Sequence, residues 1–155
     1  MLLLQVVHVP SEMLYVTPSV SEHTEMYLKA MAMLEEEGEK DAKISSIAKM
    51  LGISPPSVVQ MLTKLSKQGL INYSRGKGSR FRKKGKAMGD LMLRNSRLVE
   101  TLMDQALKME VDEKVSCALE HHMTKEFADA LCRLLGHPRA CPHGNAIPKG
   151  ECCQE

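Results

Sequence analysis

Within the run Glu113-Lys-Val-Ser-Cys117-Ala-Leu-Glu120-His121-His122-Met123, an acid, a thiol, a second acid and an imidazole fall at i, i+4, i+7 and i+8. On a helix this spacing gathers Glu113, Cys117, Glu120 and His121 on one stripe, and the chemistry such a set supports is metal coordination. Thiolate favours softer ions, imidazole the transition metals and carboxylate the harder ions. The mixture suits Fe(II), Zn(II), Co(II) or Ni(II) better than Mg(II) or Ca(II). Cys is also a common core residue and Glu–His pairs occur on many solvated helices, so spacing alone leaves the bland reading standing beside the metal one.

A second kind of chemistry lies in the charge distribution. The 155-residue chain has a net charge of only +2. Yet the window from Lys43 to Lys86 holds eleven basic residues and no Asp or Glu, which leaves ten basic and nineteen acidic residues elsewhere, a net −9. A dense one-signed field is what phosphate neutralisation and counterion release require, although basic windows are also common on plain solvated faces. At 43% hydrophobic and 26% charged residues the composition is that of a globular protein, neither disordered nor collagen-like. Only 3% of residues are aromatic and none is Trp, which argues against aromatic shelves for bases or sugars and for a core of Leu, Ile, Val and Met. Five Cys without a signal peptide imply reduced thiols or metal ligands in the cytoplasm rather than a disulfide framework. No apolar stretch approaches the ~20 residues that span a bilayer, so no membrane insertion is expected.

The elements that must position these groups are mainly helical. Residues 1–20 lack a sustained period and read as an appended arm. Ser21 fits an N-cap, Tyr27, Met31 and Leu34 fall on one face, and Gly38 suits the C′ position of a first helix. Ile44, Ile47, Ala48 and Leu51 mark a short second helix ending at Gly52. Ser54 then caps a third, with Pro in its first turn, Val58, Leu62 and Leu65 inward, and Ser57, Gln60, Lys64 and Lys67 outward. Two short helices around a Gly-containing turn, the second basic outside, make a helix-turn-helix. Leu70-Ile-Asn-Tyr-Ser, Arg75-Gly-Lys-Gly-Ser79 and Arg80-Phe-Arg-Lys read as strand, turn and strand, a basic wing. From Lys86 to Met109 a long helix is expected, followed by helices over Val111–Met123 and Thr124–Leu135 and an irregular tail. The fold expected is a winged helix-turn-helix DNA-binding domain over 21–86, an all-helical metal-binding and dimerisation domain over 87–140, and a Cys-rich tail over 141–155.

Residues 22–145 resemble the diphtheria-toxin-repressor (DtxR/MntR) family of metal-dependent transcriptional regulators. The resemblance rests on Thr24-Glu-Met-Tyr-Leu28, Glu35-Glu-Glu-Gly38, Ser54-Pro-Pro-Ser-Val58, Cys117-Ala-Leu-Glu-His121 and Cys141-Pro-His-Gly-Asn145, whose order and spacing together are specific. It implies a homodimer in which Met26, Cys117, Glu120 and His121 match the primary, regulatory metal ligands. Met and Cys stand where manganese-preferring members carry carboxylates, which favours Fe(II) over Mn(II), with Co(II), Ni(II) and Zn(II) as alternatives. The family's ancillary site matches less well, because Ser96 and Glu113 stand where many members have His. Glu100 remains, and Cys141 and His143 can join it. Longer relatives carry a C-terminal SH3-like domain, whereas this chain stops at Glu155. Cys152 and Cys153 either substitute for its ligands or form a frayed tail with reactive thiols, and the tail is the reading favoured.

The reading that unites these observations is a cytoplasmic, Fe(II)-responsive repressor, not an enzyme, that binds palindromic operator DNA as a metal-loaded homodimer. Ser57 and Gln60 are expected to meet base edges and Pro56 to make apolar contact, while Ser54, Lys64, Lys67, Arg80 and Arg82 serve phosphates. One rival is a thiol-based redox regulator on the same fold; Glu113 and Glu120 around Cys117 argue against it, because they disfavour the thiolate. A second rival, a small metalloenzyme using Glu120 as base, leaves the basic window unexplained.

Overall fold

The computed structural model describes residues 21–154, so the arm expected over 1–20 lies outside the described residues. Helix α1 (Glu22–Glu36) begins after Ser21, and Glu22 and Glu25 put negative charge on its first turn, where the helix dipole favours it. Its end is a Schellman cap: Gly38 N–H donates to the Glu35 carbonyl (3.0 Å) and Glu39 N–H to that of Leu34 (2.9 Å), with Gly38 at φ 96°. Helix α2 (Ile44–Leu51) stops at Gly52, and α3 (Pro55–Lys67) starts where the Ser54 hydroxyl accepts from Ser57 N–H at 3.4 Å. Val58, Leu62 and Leu65 of α3 are fully buried, together with Leu28 of α1 and Ile47 of α2, whereas Ser57, Gln60, Lys64 and Lys67 are exposed.

The wing pairs β1 (Ile71–Ser74) antiparallel with β2 (Gly78–Phe81), in register from Ile71 opposite Phe81 to Ser74 opposite Gly78. Its second strand therefore starts at Gly78, two residues before the expected Arg80. The cause is Ala42, which exchanges two 2.9 Å backbone hydrogen bonds with Ser79 and draws that residue into the sheet.

Helix α4 (Lys83–Thr101) leaves the wing and ends in a turn of π-helix, Leu102–Ala106, instead of running on to Met109 as expected. Thr101 donates its hydroxyl to the Arg97 carbonyl at 2.6 Å, competing for a helical acceptor where the ladder widens, and Lys108 then turns the chain at φ 54°. Helices α5 (Glu113–Glu120) and α6 (Lys125–Leu134) follow. Each is capped by a side chain, Asp112 accepting from Lys114 and Val115 N–H, and Thr124 from Phe127 N–H. A second core cluster forms around Leu98, Ala128, Leu131, Cys132, Cys141, Ile147 and Cys152. Among the described residues no helix is long and apolar enough to cross a membrane.

Two close approaches fix α4 against the DNA-binding half. A Cβ at Gly85 would lie 2.0 Å from the Leu70 carbonyl oxygen, and one at Gly89 2.8 Å from that of Leu28. Backbone cannot yield as a flexible side chain can. Gly85→Ala is therefore expected to lower stability by more than the ~1–3 kcal/mol of ordinary overpacking, read as a fall in the urea midpoint. Arg97 adds a charged tie, its buried guanidinium gripping Glu36 at the end of α1 through two hydrogen bonds of 2.8 and 2.6 Å. The hydrogen bond from Arg97 holds the Glu36 carboxyl below its usual range.

Candidate metal centre and nucleic-acid face

Helix α5 is anchored on α4 before any ligand is considered. The buried Ser116 hydroxyl donates to the Ser96 carbonyl at 3.2 Å, and Asn95 Nδ2 donates to the Glu120 carbonyl at 3.2 Å. These contacts turn one face of α5 toward α1. On that face one donor atom each of Cys117, Glu120 and His121 lie within 4.8 Å of one another. Glu120 is fully buried, and His121, at the C-cap, has a side chain only 4% exposed. Met26 of α1 lines a small cavity of about 170 Å³ together with Cys117, Glu120 and Lys29. The structure thus brings all four expected primary residues to one place between α1 and α5. Glu113, expected on the same stripe, stands exposed in the first turn of α5 and lies outside this group.

Two residues that sequence reasoning missed organise the centre. His121 Nδ1 lies 2.6 Å from Glu25 Oε2. A carboxylate only accepts, so the proton of a neutral ring sits on Nδ1 and the Nε2 lone pair faces Cys117 Sγ (3.9 Å) and Glu120 Oε1 (3.7 Å). Lys29 Nζ donates to both Glu120 oxygens, at 3.0 and 2.7 Å, and to the Ser96 hydroxyl at 3.0 Å. Ser96 therefore serves to hold an ammonium. The signal available in the sequence was Glu22, Glu25, Met26 and Lys29 at i, i+3, i+4 and i+7, one face of α1. Burial, followed by the Glu120 carboxylate, pushes the Cys117 thiol up. The expected second acid acting on it is not Glu113 but Glu22, and Lys29 opposes both.

The donor set fits a transition ion: one thiol, one imidazole with its outer nitrogen held by a carboxylate, one buried carboxylate, and a thioether at the cavity wall. Glu100, Cys141 and His143 form a second group whose donor atoms also lie within 4.8 Å, with His143 Nδ1 3.4 Å from Glu100 Oε2. Cys152 and Cys153 do not join it, and the frayed-tail expectation for them is wrong. Cys152 is buried in a short 3₁₀ turn, Glu151–Cys153, because Gly150 lets the chain press against Arg94 and Asp129.

The residues expected to meet DNA share the exposed side of α3 and the wing, with Ser54, Pro56, Ser57, Gln60, Lys64, Lys67, Arg80 and Arg82 all solvent-facing. Arg80 is held in a fork to Asp41 by hydrogen bonds of 2.8 and 2.6 Å, and Arg82 donates to Asn72 at 2.7 Å. Among the described residues Lys64 and Lys67 make no ion pair.

A winged helix-turn-helix joined to a helical unit, with a partly buried donor set between them, is the architecture of a metal-responsive DNA-binding regulator. Residues 19–79 match the family described as "Iron dependent repressor, N-terminal DNA binding domain", and residues 82–149 match "Iron dependent repressor, metal binding and dimerisation domain". The chain belongs to this DtxR/MntR family of metal-dependent transcriptional repressors, whose members are regulators and not enzymes. It is 32% identical over 127 residues to the iron-dependent repressor IdeR of Mycobacterium leprae, covering 81% of this chain and 55% of that one. It is similar to the structure of the manganese regulator SloR, with a TM-score of 0.70, 31% identity and coverage of 81% and 59%. The structure of T. acidophilum IdeR aligns with a TM-score of 0.66 at 25% identity over 90% of this chain and 64% of that one. The chain spans about half the length of the curated relatives it matches.

Proposed function

We propose that this chain is a metal-activated repressor that works in the cytoplasm as a homodimer on palindromic operator DNA, with Fe(II) its physiological ion. The observation that carries the reading is the donor group of Cys117, Glu120 and His121, partly buried at the end of α5 with Glu120 fully enclosed, and turned toward Met26 of α1, the helix that packs beneath the helix-turn-helix. Met26 of α1 with Cys117, Glu120 and His121 would hold a divalent ion there, and its charge would replace the compensation that Lys29 provides to Glu120. In this reading residues 21–86 are the DNA-binding domain and 87–140 the regulatory and dimerisation domain, with Glu100, Cys141 and His143 as an ancillary site. Support for a dimer comes from the apolar side chains left in solvent, which among the described residues gather on the second half: Leu107, Met109, Leu119, Phe127 and Leu134 are each at least 44% exposed and Val115 41%, with Met26 (36%) alone in the first half.

The ion is argued from softness. The Met26 thioether and Cys117 thiolate disfavour Mn(II), while Co(II) and Ni(II) bind mixed N, O and S sites more strongly than Fe(II) and are expected to activate in vitro as well. The test is operator binding measured ion by ion on anaerobic protein, with a duplex selected by the protein from a random pool. Met26→Asp with Cys117→Glu is expected to shift half-maximal activation toward Mn(II) relative to Fe(II). An unchanged ratio between the two ions removes the basis of the iron assignment.

On the DNA face the roles divide by chemistry. Gln60 is suited to a bidentate contact with a base edge, so Gln60→Ala should relax preference at one base pair by about 1–3 kcal/mol. Lys67→Ala should weaken all duplexes alike and flatten the salt dependence. Equal losses on selected and random DNA for Gln60→Ala would remove it from the base-reading set.

A further inference from the structure

Outside the centre between α1 and α5, the described residues hold one more convergence of thiols. Cys132 lies on α6, His137 just past its end, and Cys152 and Cys153 on the terminal 3₁₀ turn. Cys153 Sγ is 3.6 Å from both Cys132 Sγ and Cys152 Sγ and 3.5 Å from His137 Nδ1, and Cys132 Sγ is 3.7 Å from that same nitrogen. All four donor atoms fall within 4.8 Å of one another.

These spacings discriminate between the chemistries open to three thiols and an imidazole. A tetrahedral ion with Zn–S near 2.3 Å and Zn–N near 2.0–2.1 Å holds its sulfurs about 3.8 Å apart and sulfur and nitrogen about 3.6 Å apart. The four distances of 3.5–3.7 Å match the edges of that tetrahedron, and the other two lie within 4.8 Å. They are too short to straddle the two irons of an iron–sulfur cluster, and a disulfide would use two thiols and leave the third and the imidazole without purpose.

We propose that Cys132, His137, Cys152 and Cys153 form a second, structural site for a single tetrahedral Zn(II) ion, which clamps the C-terminal segment to the end of α6. The local chain is built to present the set. Helix α6 closes in a Schellman cap, Gly136 N–H donating to the Arg133 carbonyl (3.0 Å) and His137 N–H to that of Cys132 (2.8 Å), which folds the imidazole back over Cys132. Arg94 Nη2 lies 3.1 Å from Cys152 Sγ and can donate to it when it is a metal-bound thiolate. That guanidinium is buried and also meets Asp129 at 2.8 Å, so its position is fixed by the protein. An entry path exists on the outer side, where His137 and Cys153 border a cavity of about 440 Å³. Loading releases the thiol protons to solvent and closes four ligands from two segments around one ion. The site is independent of the regulatory centre, with which it shares no residue.

The test uses the full chain, reduced and stripped of metal, titrated with Co(II) and with Zn(II). Cobalt should give the visible bands of a tetrahedral ion with thiolate charge transfer, and Zn(II) should displace it. The signal should persist in Cys117→Ala with His121→Ala, which empties the regulatory centre, and be lost when Cys132→Ser and Cys153→Ser are added to that chain. Cys153→Ser alone, at a half-buried position, guards against a folding failure: helical circular dichroism should be kept while the thiolate band weakens. Chelation should lower the Tm of the Cys117→Ala, His121→Ala chain and leave unchanged that of the chain that also carries Cys132→Ser and Cys153→Ser. A cobalt spectrum that follows Cys117 alone, or thiols that oxidise to a disulfide at saturating Zn(II), overturns the proposal.

Discussion

Truncating the imidazole, as His121→Ala, is expected to abolish the metal dependence of operator binding while the helical fold survives. His121 occupies the C-cap of α5, after the last helical residue, so its loss removes no intrahelical contact from the helix interior. What disappears is the Nε2 lone pair that faces Cys117 and Glu120, and with it the partner of Glu25. Loss of an outer partner to a ligand costs roughly 10–100-fold in metal affinity, and loss of the ligand itself should exceed that. Glu25→Gln should fall within the smaller range, because it frees the ring without removing it. Cys117→Ala should resemble His121→Ala. Fluorescence anisotropy on the selected duplex, with anaerobic Fe(II) or excess chelator, reads all three. A His121→Ala protein that still binds only when metal is added, with unchanged metal affinity, would remove His121 from the ligand set.

Lys29→Met should produce the second large effect, and it acts on the metal-free protein. Glu120 is fully buried, and both of its oxygens depend on the Lys29 ammonium, which is itself only 20% exposed. Removing one partner of such a pair strands a buried charge at a cost of about 3 kcal/mol, the lower end of the usual range because Lys29 keeps some solvent. Divalent metal supplies the missing cation and meets no ammonium to displace. Added metal should therefore stabilise the variant more than the parent, and each hundredfold excess over Kd contributes about 2.7 kcal/mol to whichever chain binds. Urea denaturation with and without Co(II) measures both terms. Equal stability of the two metal-free proteins, or equal stabilisation by Co(II), would show that Lys29 does not stand in for the ion.

The parts of this architecture that were legible in the sequence are those governed by local rules. Ser54 with Pro55 and Pro56, Gly38, Gly52 and the Thr124 cap act within a turn of where they stand, and the face of Val58, Leu62 and Leu65 needs only helical periodicity. Cys117 and Glu120 lie on one short helix and His121 caps its end, so their convergence follows from spacing, while Met26 enters only through the family resemblance. The features that stayed hidden depend on tertiary docking. Lys29 reads as an ordinary surface lysine until α5 buries Glu120 against it. Cys132 and Cys153 are 21 residues apart, and nothing local announces that Gly150 lets the tail press on Arg94. Periodicity places the end of α4 too late because Leu102 and Met103 continue the apolar rhythm through the π-helical turn.

Metal bound between α1 and α5 and DNA bound by α3 are expected to be coupled in one protein. Linkage makes that coupling quantitative, because the factor by which metal tightens DNA binding must equal the factor by which DNA tightens metal binding. The direct measurement is the four-sided cycle for the full chain: Kd for the selected duplex with chelator and with saturating Fe(II), and Kd for Fe(II) with and without that duplex, all anaerobically. Two equal factors well above one are expected in the parent, both collapsing to one in His121→Ala. Operator affinity in the parent that is the same in chelator and in Fe(II) would contradict this coupling.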